Sequence, residues 1–550
     1  RGLQPISFLV NFFVKHAPGS WQTSYAPAAY YMTSDSRAMY LTNEDFALFD
    51  LTRPNAVTIE VNASSIHGAF VVRDTPLGII ETYTREHAGR MRKLPSWVGN
   101  GAVLGLQGGT AAVQAHVSKL KNAGVPIAAL WLQDWTGKRE TGFGRRLQWN
   151  WEVSESHYPG WYEYIRKLAR ENIYVMSYIN PYLANTGGGS NESTSLFQEA
   201  MHHDCLVKES DGITVQIQAS ATPDFTFGTV DLTNPSCQDW YIHEVIQERM
   251  LGNTRDKDHV NGVIGFMADF AESISMGAKL DAGEGSELHN RFPVLWAETC
   301  RKAISSSAFL EENAVFFTRA GGAKTPGQST LMWMGDQMTT YDHHDGLRSA
   351  LAGMLSAGMS GFSLAHSDIG GYTMFDRFGI IRVLRSPELF MRWAEMNVFS
   401  DAMFRTHEGV LPDLSTQAVN DKVIDHFAKF ARLHTKLFTL VKEPLMKVAQ
   451  ASGAPLARHM FLEFPNDTKA RLAKDQFLLG SDLLICPIVM PGKTERLCYI
   501  PEGNWTHTFT HEKSLPQSEF RCSAPLGQPC VFYRPQAAKI AKVIRDVLLA

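Results

Sequence analysis

From about residue 94 the chain repeats one arrangement: a short apolar run, a polar loop, then an amphipathic helix. The runs are Val103–Leu106, Ile127–Leu132, Ile173–Ile179, Val263–Met267, Ala314–Thr318, Leu331–Met334 and Gly361–Leu364, with helices near 110–123 and over Trp161–Arg170. Runs that are apolar at every position belong to strands covered on both faces, as in a parallel sheet. Alternating with helices in one domain, they predict a closed (β/α)8 TIM barrel, with the eighth strand near Met403–Arg405. The flanks read differently. Residues 1–86 alternate apolar and polar positions, as in Val57-Thr58-Ile59-Glu60-Val61, with no long helix. Strand patterning returns at Phe477–Leu479, Leu483–Ile488, Leu497–Ile500 and Val531–Tyr533. The expected organisation is an N-terminal β-sandwich over 1–86, shortened or incomplete, and a barrel over 87–455. A β insertion near 208–230, centred on Gly212–Ile217, interrupts the barrel, and a C-terminal β-sandwich covers 456–550. Gly187-Gly188-Gly189-Ser190 reads as a flexible loop tip, and there is no internal repeat.

Composition narrows the function. With 550 residues, 44% of them hydrophobic and 20% charged, the chain can bury a large core. A net charge of −4 sets up no field for nucleic acid or an anionic membrane, which points to a small substrate, neutral over most of its surface. The apolar stretch Phe8–Val14 is too short to span a bilayer, so a soluble chain is expected; a homo-oligomer stays open. The chain opens at Arg1 with neither a Met nor a signal peptide, so its start reads as trimmed or incomplete and its compartment is unknown. Seven cysteines without metal-ligand spacing are expected to be reduced and buried, Cys522 and Cys530 being the only close pair. Sequons at Asn62, Asn191, Asn466 and Asn504 are compatible with secretion and prove nothing further.

The candidate chemistry lies at the ends of the apolar runs. Asp269 closes Val263-Ile264-Gly265-Phe266-Met267-Ala268, and Asp336 closes Leu331-Met332-Trp333-Met334-Gly335. A carboxylate at a strand exit sits where α/β barrels place their active sites, and two of them suit the nucleophile and acid of a glycoside hydrolase. An isolated Asp there could equally cap the following helix. The other exits add weight: Gln107, Gln133-Asp134-Trp135, Asn180-Pro181-Tyr182, Arg319, His366-Ser367-Asp368 and Arg405-Thr406-His407. Such a set offers bidentate hydrogen bonds to sugar hydroxyls and an indole face for the ring.

Several segments, taken in order, resemble glycoside hydrolase family 31, and within it the sulfoquinovosidase group. They are Leu104-Gly105-Leu106-Gln107-Gly108-Gly109-Thr110, Gln133-Asp134-Trp135, Met267-Ala268-Asp269-Phe270, Trp333-Met334-Gly335-Asp336-Gln337 and His366-Ser367-Asp368-Ile369-Gly370-Gly371-Tyr372. The resemblance runs from about residue 87 to the C-terminus and implies a retaining α-glycosidase that needs no metal or organic cofactor. It makes Asp269 the nucleophile and Asp336 the acid/base, and sets Asp134, Arg319, Trp333, Asp368 and His407 around the sugar. It assigns sulfonate recognition to Arg146, Trp149 and Tyr372 with Gln107 and Gln133. The chemistry agrees, because a sulfonate is a permanent anion with three acceptor oxygens, and Arg and Trp supply matching donors. Facing a neutral 6-hydroxyl, a buried Arg146 would be left without a partner at a cost of several kcal/mol.

The sequence also departs from the group. Ala271 stands where Gly is usual after Asp-Phe, and Met338–His344 differs from the group's Asn-Val-Asp-Trp type of sequence, which places the aglycone side in question. Two alternatives remain at this level: an α-glucosidase or α-xylosidase acting on neutral sugars, and a catalytically silent binding or regulatory homologue. The presence of both carboxylates weighs against the second.

Overall fold

The computed structural model describes residues 24–141, 144–185, 195–220, 222–252, 263–377 and 379–550; the loop tip at 187–190, the sequon at Asn191 and the Phe8–Val14 stretch lie outside them. Its centre is a sheet of parallel strands: β1 (Ala102–Leu106), β2 (Ile127–Leu132), β3 (Tyr174–Ile179), β4 (Gly265–Ala268), β5 (Val315–Thr318), β6 (Leu331–Trp333) and β7 (Ala365–His366). Each strand pairs with the next in register, as in Leu106 with Leu132 and Ala268 with Thr318. Nearly every strand residue is buried, because one face fills the barrel and the other meets the helix layer. That layer includes α1 (Gly109–Asn122), α2 (Trp161–Arg170), α3 (Phe292–Ser305), α4 (Leu347–Met359) and α5 (Pro387–Ser400).

The seventh and eighth positions differ from expectation. The seventh strand begins after Leu364, because Gly361 turns at φ 95° and the Ser363 N–H bonds back to the Gly361 carbonyl at 3.0 Å. The eighth is a bridging segment rather than a ladder. The Val103 N–H donates to the Phe404 carbonyl (2.9 Å), Thr406 to Val103 (3.0 Å), Ile369 to Arg405 (3.1 Å) and Ala402 to Ala365 (3.0 Å). Residues 402–406 thereby join the last strand to the first.

Gly212–Ile217 also forms no strand. The Asp211 carboxylate accepts the Ile213 and Thr214 N–H groups at 2.9 and 2.8 Å, making a tight turn. The strands follow it at Gln218–Ser220 and Thr222–Thr229, the second pairing with Tyr182–Ala184 just beyond β3.

The N-terminal part contains a three-stranded antiparallel sheet (Tyr30–Met32, Arg37–Leu41, Gly68–Val72) and a hairpin (Ala47–Arg53, Ala56–Val61). Within this strand-patterned part, Pro76–Tyr83 is helical and continues through Thr84–Ala88. Thr75 Oγ1 accepts the Gly78 N–H at 3.1 Å and Pro76 opens the first turn, a strong start for a short helix. The C-terminal part holds a six-stranded sheet and the antiparallel pair Glu495–Ile500 with Ser518–Ser523, sharing a core of Leu478, Leu484, Ile500, Trp505 and Phe532. A final helix, Ala538–Leu549, has no counterpart in the strand pattern. Two disulfides, Cys205–Cys237 and Cys522–Cys530, correct the expectation that all thiols are free; Cys300, Cys486 and Cys498 are free and buried. No helix among the described residues is long and apolar enough to cross a membrane.

Barrel closure depends on a close approach at Gly105, where a Cβ would stand 2.5 Å from the Thr406 carbonyl oxygen and 3.1 Å from the Trp131 ring. Gly105→Ala is expected to lower folding stability by about 1–3 kcal/mol in chemical denaturation, as overpacking at a rigid contact does.

Candidate active site

Asp269 is held by the strand that carries it. Its N–H still donates to the Ile179 carbonyl at 2.9 Å, and then the chain turns sharply, with Phe270 at φ 59° and Ala271 at φ 83°. Two successive non-glycine residues in left-handed conformations are strained, and such strain persists where surrounding packing over-determines the backbone. Ala271, where the resemblance leads one to expect Gly, is thus a buried alanine in a glycine conformation.

Arg319 follows β5, between the exits of β4 and β6. Its Nε lies 3.3 Å from Asp269 Oδ1, its Nη1 lies 3.5 Å from Asp336 Oδ2, and its Nη2 pairs with Glu272. The guanidinium is stacked between Phe270 (4.3 Å) and Tyr25 (4.7 Å), so an N-terminal residue reaches the barrel mouth. One cation faces three acids. Burial pushes the Asp269 carboxyl up to about 6, Arg319 pulls it down, and the Asp336 and Glu272 charges push it up again. Tyr178 Oη donates to Asp269 Oδ2 at 2.8 Å and is itself bonded by Asn180 Nδ2 at 3.1 Å, which orients the carboxylate.

A second buried cation organises the opposite side. Arg405 lies between Trp131 (4.6 Å) and Phe317 (4.8 Å), donates from Nε to His366 Nε2 at 3.0 Å and pairs with Asp368. Trp333 Nε1 donates to the same Asp368 oxygen at 3.1 Å, leaving Oδ2 without a protein partner. Burial lifts the Asp368 carboxyl to about 6 against the pull of Arg405. His407 Nδ1 accepts the Gly409 N–H at 2.9 Å, and burial with the Arg405 and Arg385 charges holds the ring well below its ordinary pKa. The imidazole is therefore neutral with its proton on Nε2, a hydrogen-bond donor. Arg385 clamps the carbonyls of Gly370, His407 and Thr416 at 3.1, 2.9 and 3.1 Å, and that of Gly371, fixing the loop before Tyr372.

Tyr372 packs on His407 with ring centroids 4.5 Å apart. Burial pushes its hydroxyl up to about 12, Arg146 opposes this, and the Asp336, Asp269 and Asp368 charges add to it. One phenol thus feels both Arg146 and the carboxylates of the barrel mouth. Arg146 lies on the hairpin Lys138–Thr141/Gly144–Leu147 and pairs with no carboxylate among the described residues. Trp149 is packed among Tyr182, Phe225, Phe227 and Phe270 at 5.0–5.7 Å. Gln107 and Gln133 are buried at the exits of β1 and β2.

Asp134 is sealed among protein donors. Its carboxylate is fully buried and accepts from the Gly108 N–H (2.9 Å), His157 Nε2 (2.7 Å), Lys138 Nζ (3.0 Å) and Tyr158 Oη (2.5 Å). Burial pushes this group up, and the four donors together outweigh it and hold the carboxyl below the ordinary range. It braces the loops after β1 and β2.

Tyr178, Arg385 and Tyr25 were not singled out by sequence reasoning, whereas Arg405 stood among the strand-exit residues. Arg405 had a signal, a lone cation after the apolar Ala402-Met403-Phe404; Tyr178 had none, because β3 is apolar on both faces.

The family model for the glycosyl hydrolases family 31 TIM-barrel domain matches residues 100–441, and the model for the family's C-terminal domain matches 453–538. The sulfoquinovosidase of Agrobacterium fabrum is 34% identical over 525 residues, 95% of this chain and 75% of that protein. The sulfoquinovosidase of Escherichia coli K12 is 34% identical over 522 residues, 94% of this chain and 73% of that protein. A family 31 sulfoquinovosidase from E. rectale, solved with an aza-sugar inhibitor, has a TM-score of 0.90 at 32% identity and covers 99% of this chain and 79% of its own.

The raised Asp269 carboxyl has a consequence for stability. Between about pH 4 and pH 6 the folded protein holds a proton there that the unfolded chain has released, so this group's stabilising contribution is lost as pH rises through that window. Asp269→Asn is expected to raise Tm at pH 7, and the gain should shrink as the pH is lowered from 6 towards 4 in thermal melts.

Proposed function

This chain belongs to glycosyl hydrolase family 31, a family of glycosidases, and we propose that it hydrolyses α-sulfoquinovosides with retention of configuration. Asp269, ionised and oriented by Tyr178, attacks the anomeric carbon while Asp336 gives its proton to the departing glycosidic oxygen, forming a glycosyl ester and a free alcohol. Water then attacks the same carbon, Asp336 takes its proton, and the ester bond breaks to return the Asp269 carboxylate. Arg319 lies beside both carboxylates, so it opposes the charge that passes between them. The free Oδ2 of Asp368 and the Nε2–H of His407 are suited to sugar hydroxyls, an acceptor and a donor of fixed polarity. Residues 87–455, with the 208–230 insertion, form the catalytic unit in this reading, between β-sandwich units over 1–86 and 456–550.

The substrate reading is carried by Arg146. Its charge acts on Tyr372, whose hydroxyl also feels Asp269 and Asp336, and it has no acid partner among the described residues. A permanent cation so placed suits a sulfonate at C6 of the sugar and is poorly matched to a hydroxyl. The relatives of greatest identity named above carry the same activity by name.

Side-by-side turnover of an aryl α-sulfoquinovoside and an aryl α-glucoside tests the reading. The sulfoquinovoside should be strongly preferred, and preference for the glucoside would overturn the role of Arg146. Asp269→Ala should lower kcat by on the order of 10⁴-fold or more. In the wild type, kcat/KM should fall as pH drops through about 6, where the nucleophile takes up a proton.

A further inference from the structure

The hairpin that carries Arg146 has two unlike faces. Its register sets Glu140 opposite Arg145 and Arg139 opposite Arg146. Residues directly opposite in an antiparallel pair project to the same side, and successive pairs alternate. On one face Arg145 Nε donates to Glu140 Oε1 at 2.8 Å, an ordinary exposed ion pair. On the other, two guanidinium groups stand together and neither pairs with a carboxylate among the described residues. Like charges placed directly opposite destabilise a strand pair, so this face needs an anion that the hairpin itself does not supply.

The environment of Arg139 points the same way. Its guanidinium lies 3.5 Å over the Phe225 ring, and its Nη2 donates to the Ser220 carbonyl at 3.4 Å. Its Nε and Nη1 are buried without a hydrogen-bond acceptor among the described residues. A buried N–H of a charged group left without an acceptor carries a large desolvation penalty, which a bound anion removes. Phe225 packs edge-on against Trp149 at 5.5 Å, so Arg139, Phe225 and Trp149 form one contiguous group, and Arg146, opposite Arg139 in the hairpin, acts on Tyr372 through its charge.

Resting on the sulfoquinovoside reading above, we propose that Arg139 is a second cation of the sulfonate site and a specificity-determining residue for the anionic substrate. Arg146 and Arg139 share the three sulfonate oxygens from the two strands of one hairpin. Phe225 holds the Arg139 guanidinium flat, so little side-chain freedom is lost on binding.

The full-length wild type, Arg139→Gln and Arg139→Lys are assayed with the aryl α-sulfoquinovoside and the aryl α-glucoside, and each protein's Tm is measured. In Arg139→Gln the ratio of kcat/KM for sulfoquinovoside over glucoside should fall about 10- to 100-fold, the size of a lost charged hydrogen bond, with the change carried by KM. Arg139→Lys, which keeps the charge, should recover most of that ratio. An unchanged ratio in Arg139→Gln, or an equal loss on both substrates with a lowered Tm, would show Arg139 to be only a strut of the hairpin and overturn the proposal. A wild type that prefers the glucoside overturns the sulfonate reading and this inference together. A wild type that prefers the sulfoquinovoside, with that preference retained in Arg139→Gln, removes this inference alone.

Discussion

A single guanidinium makes the barrel mouth possible. Asp269, Glu272 and Asp336 converge on Arg319, whose charge opposes the rise that burial imposes on the Asp269 carboxyl. Strand order explains the convergence. Parallel neighbours exit on the same side, so the residue after β5 is flanked by those after β4 and β6. Burial, opposed by Arg319 and reinforced by the Asp336 and Glu272 charges, raises the Asp269 carboxyl to about 6, low enough to be ionised at neutral pH yet well above an exposed aspartate.

The second buried cation ties folding to the sugar pocket. The bridging segment 402–406 joins the last strand to the first, and the same segment delivers Arg405 to Asp368 and His407 to its place beside Tyr372. A barrel that did not close would deprive Asp368 of its guanidinium partner. Arg385 then ties together the adjoining turns through four carbonyls, including those of Gly370 and Gly371 just before Tyr372.

The two carboxylates and Arg146 stand on different parts of the fold. Asp269 and Asp336 follow barrel strands, whereas Arg146 stands on a hairpin outside the sheet. Asp134 connects the two. By accepting from Gly108 after β1 and from Lys138 at the foot of the hairpin, it sets the hairpin's height above the mouth. An aspartate at a strand exit therefore serves as a brace here, even though its position in sequence is equivalent to that of a catalytic one.

Strand identity, barrel class and the placement of Asp269 and Asp336 at strand exits were legible in the sequence, because an all-apolar run followed by a polar residue is a local pattern. The end of the sheet was less legible: Ala365–His366 pairs over two residues, and 402–406 pairs only through isolated bridges, too short for any periodicity to register. The short helix Pro76–Tyr83 lies within the strand-patterned N-terminal part, where eight residues containing Gly78 leave a weak helical period. The disulfide Cys205–Cys237 joins positions 32 residues apart, which spacing alone does not reveal. By itself, then, the sequence determined which residue types stand at the strand exits, since hydrophobic periodicity is written along the chain. Only the tertiary structure decided which exits face one another, that Asp134 is sealed by four donors, and that Arg139 stands opposite Arg146. Those facts are distances between segments far apart in the chain or paired by register, and charges act through space.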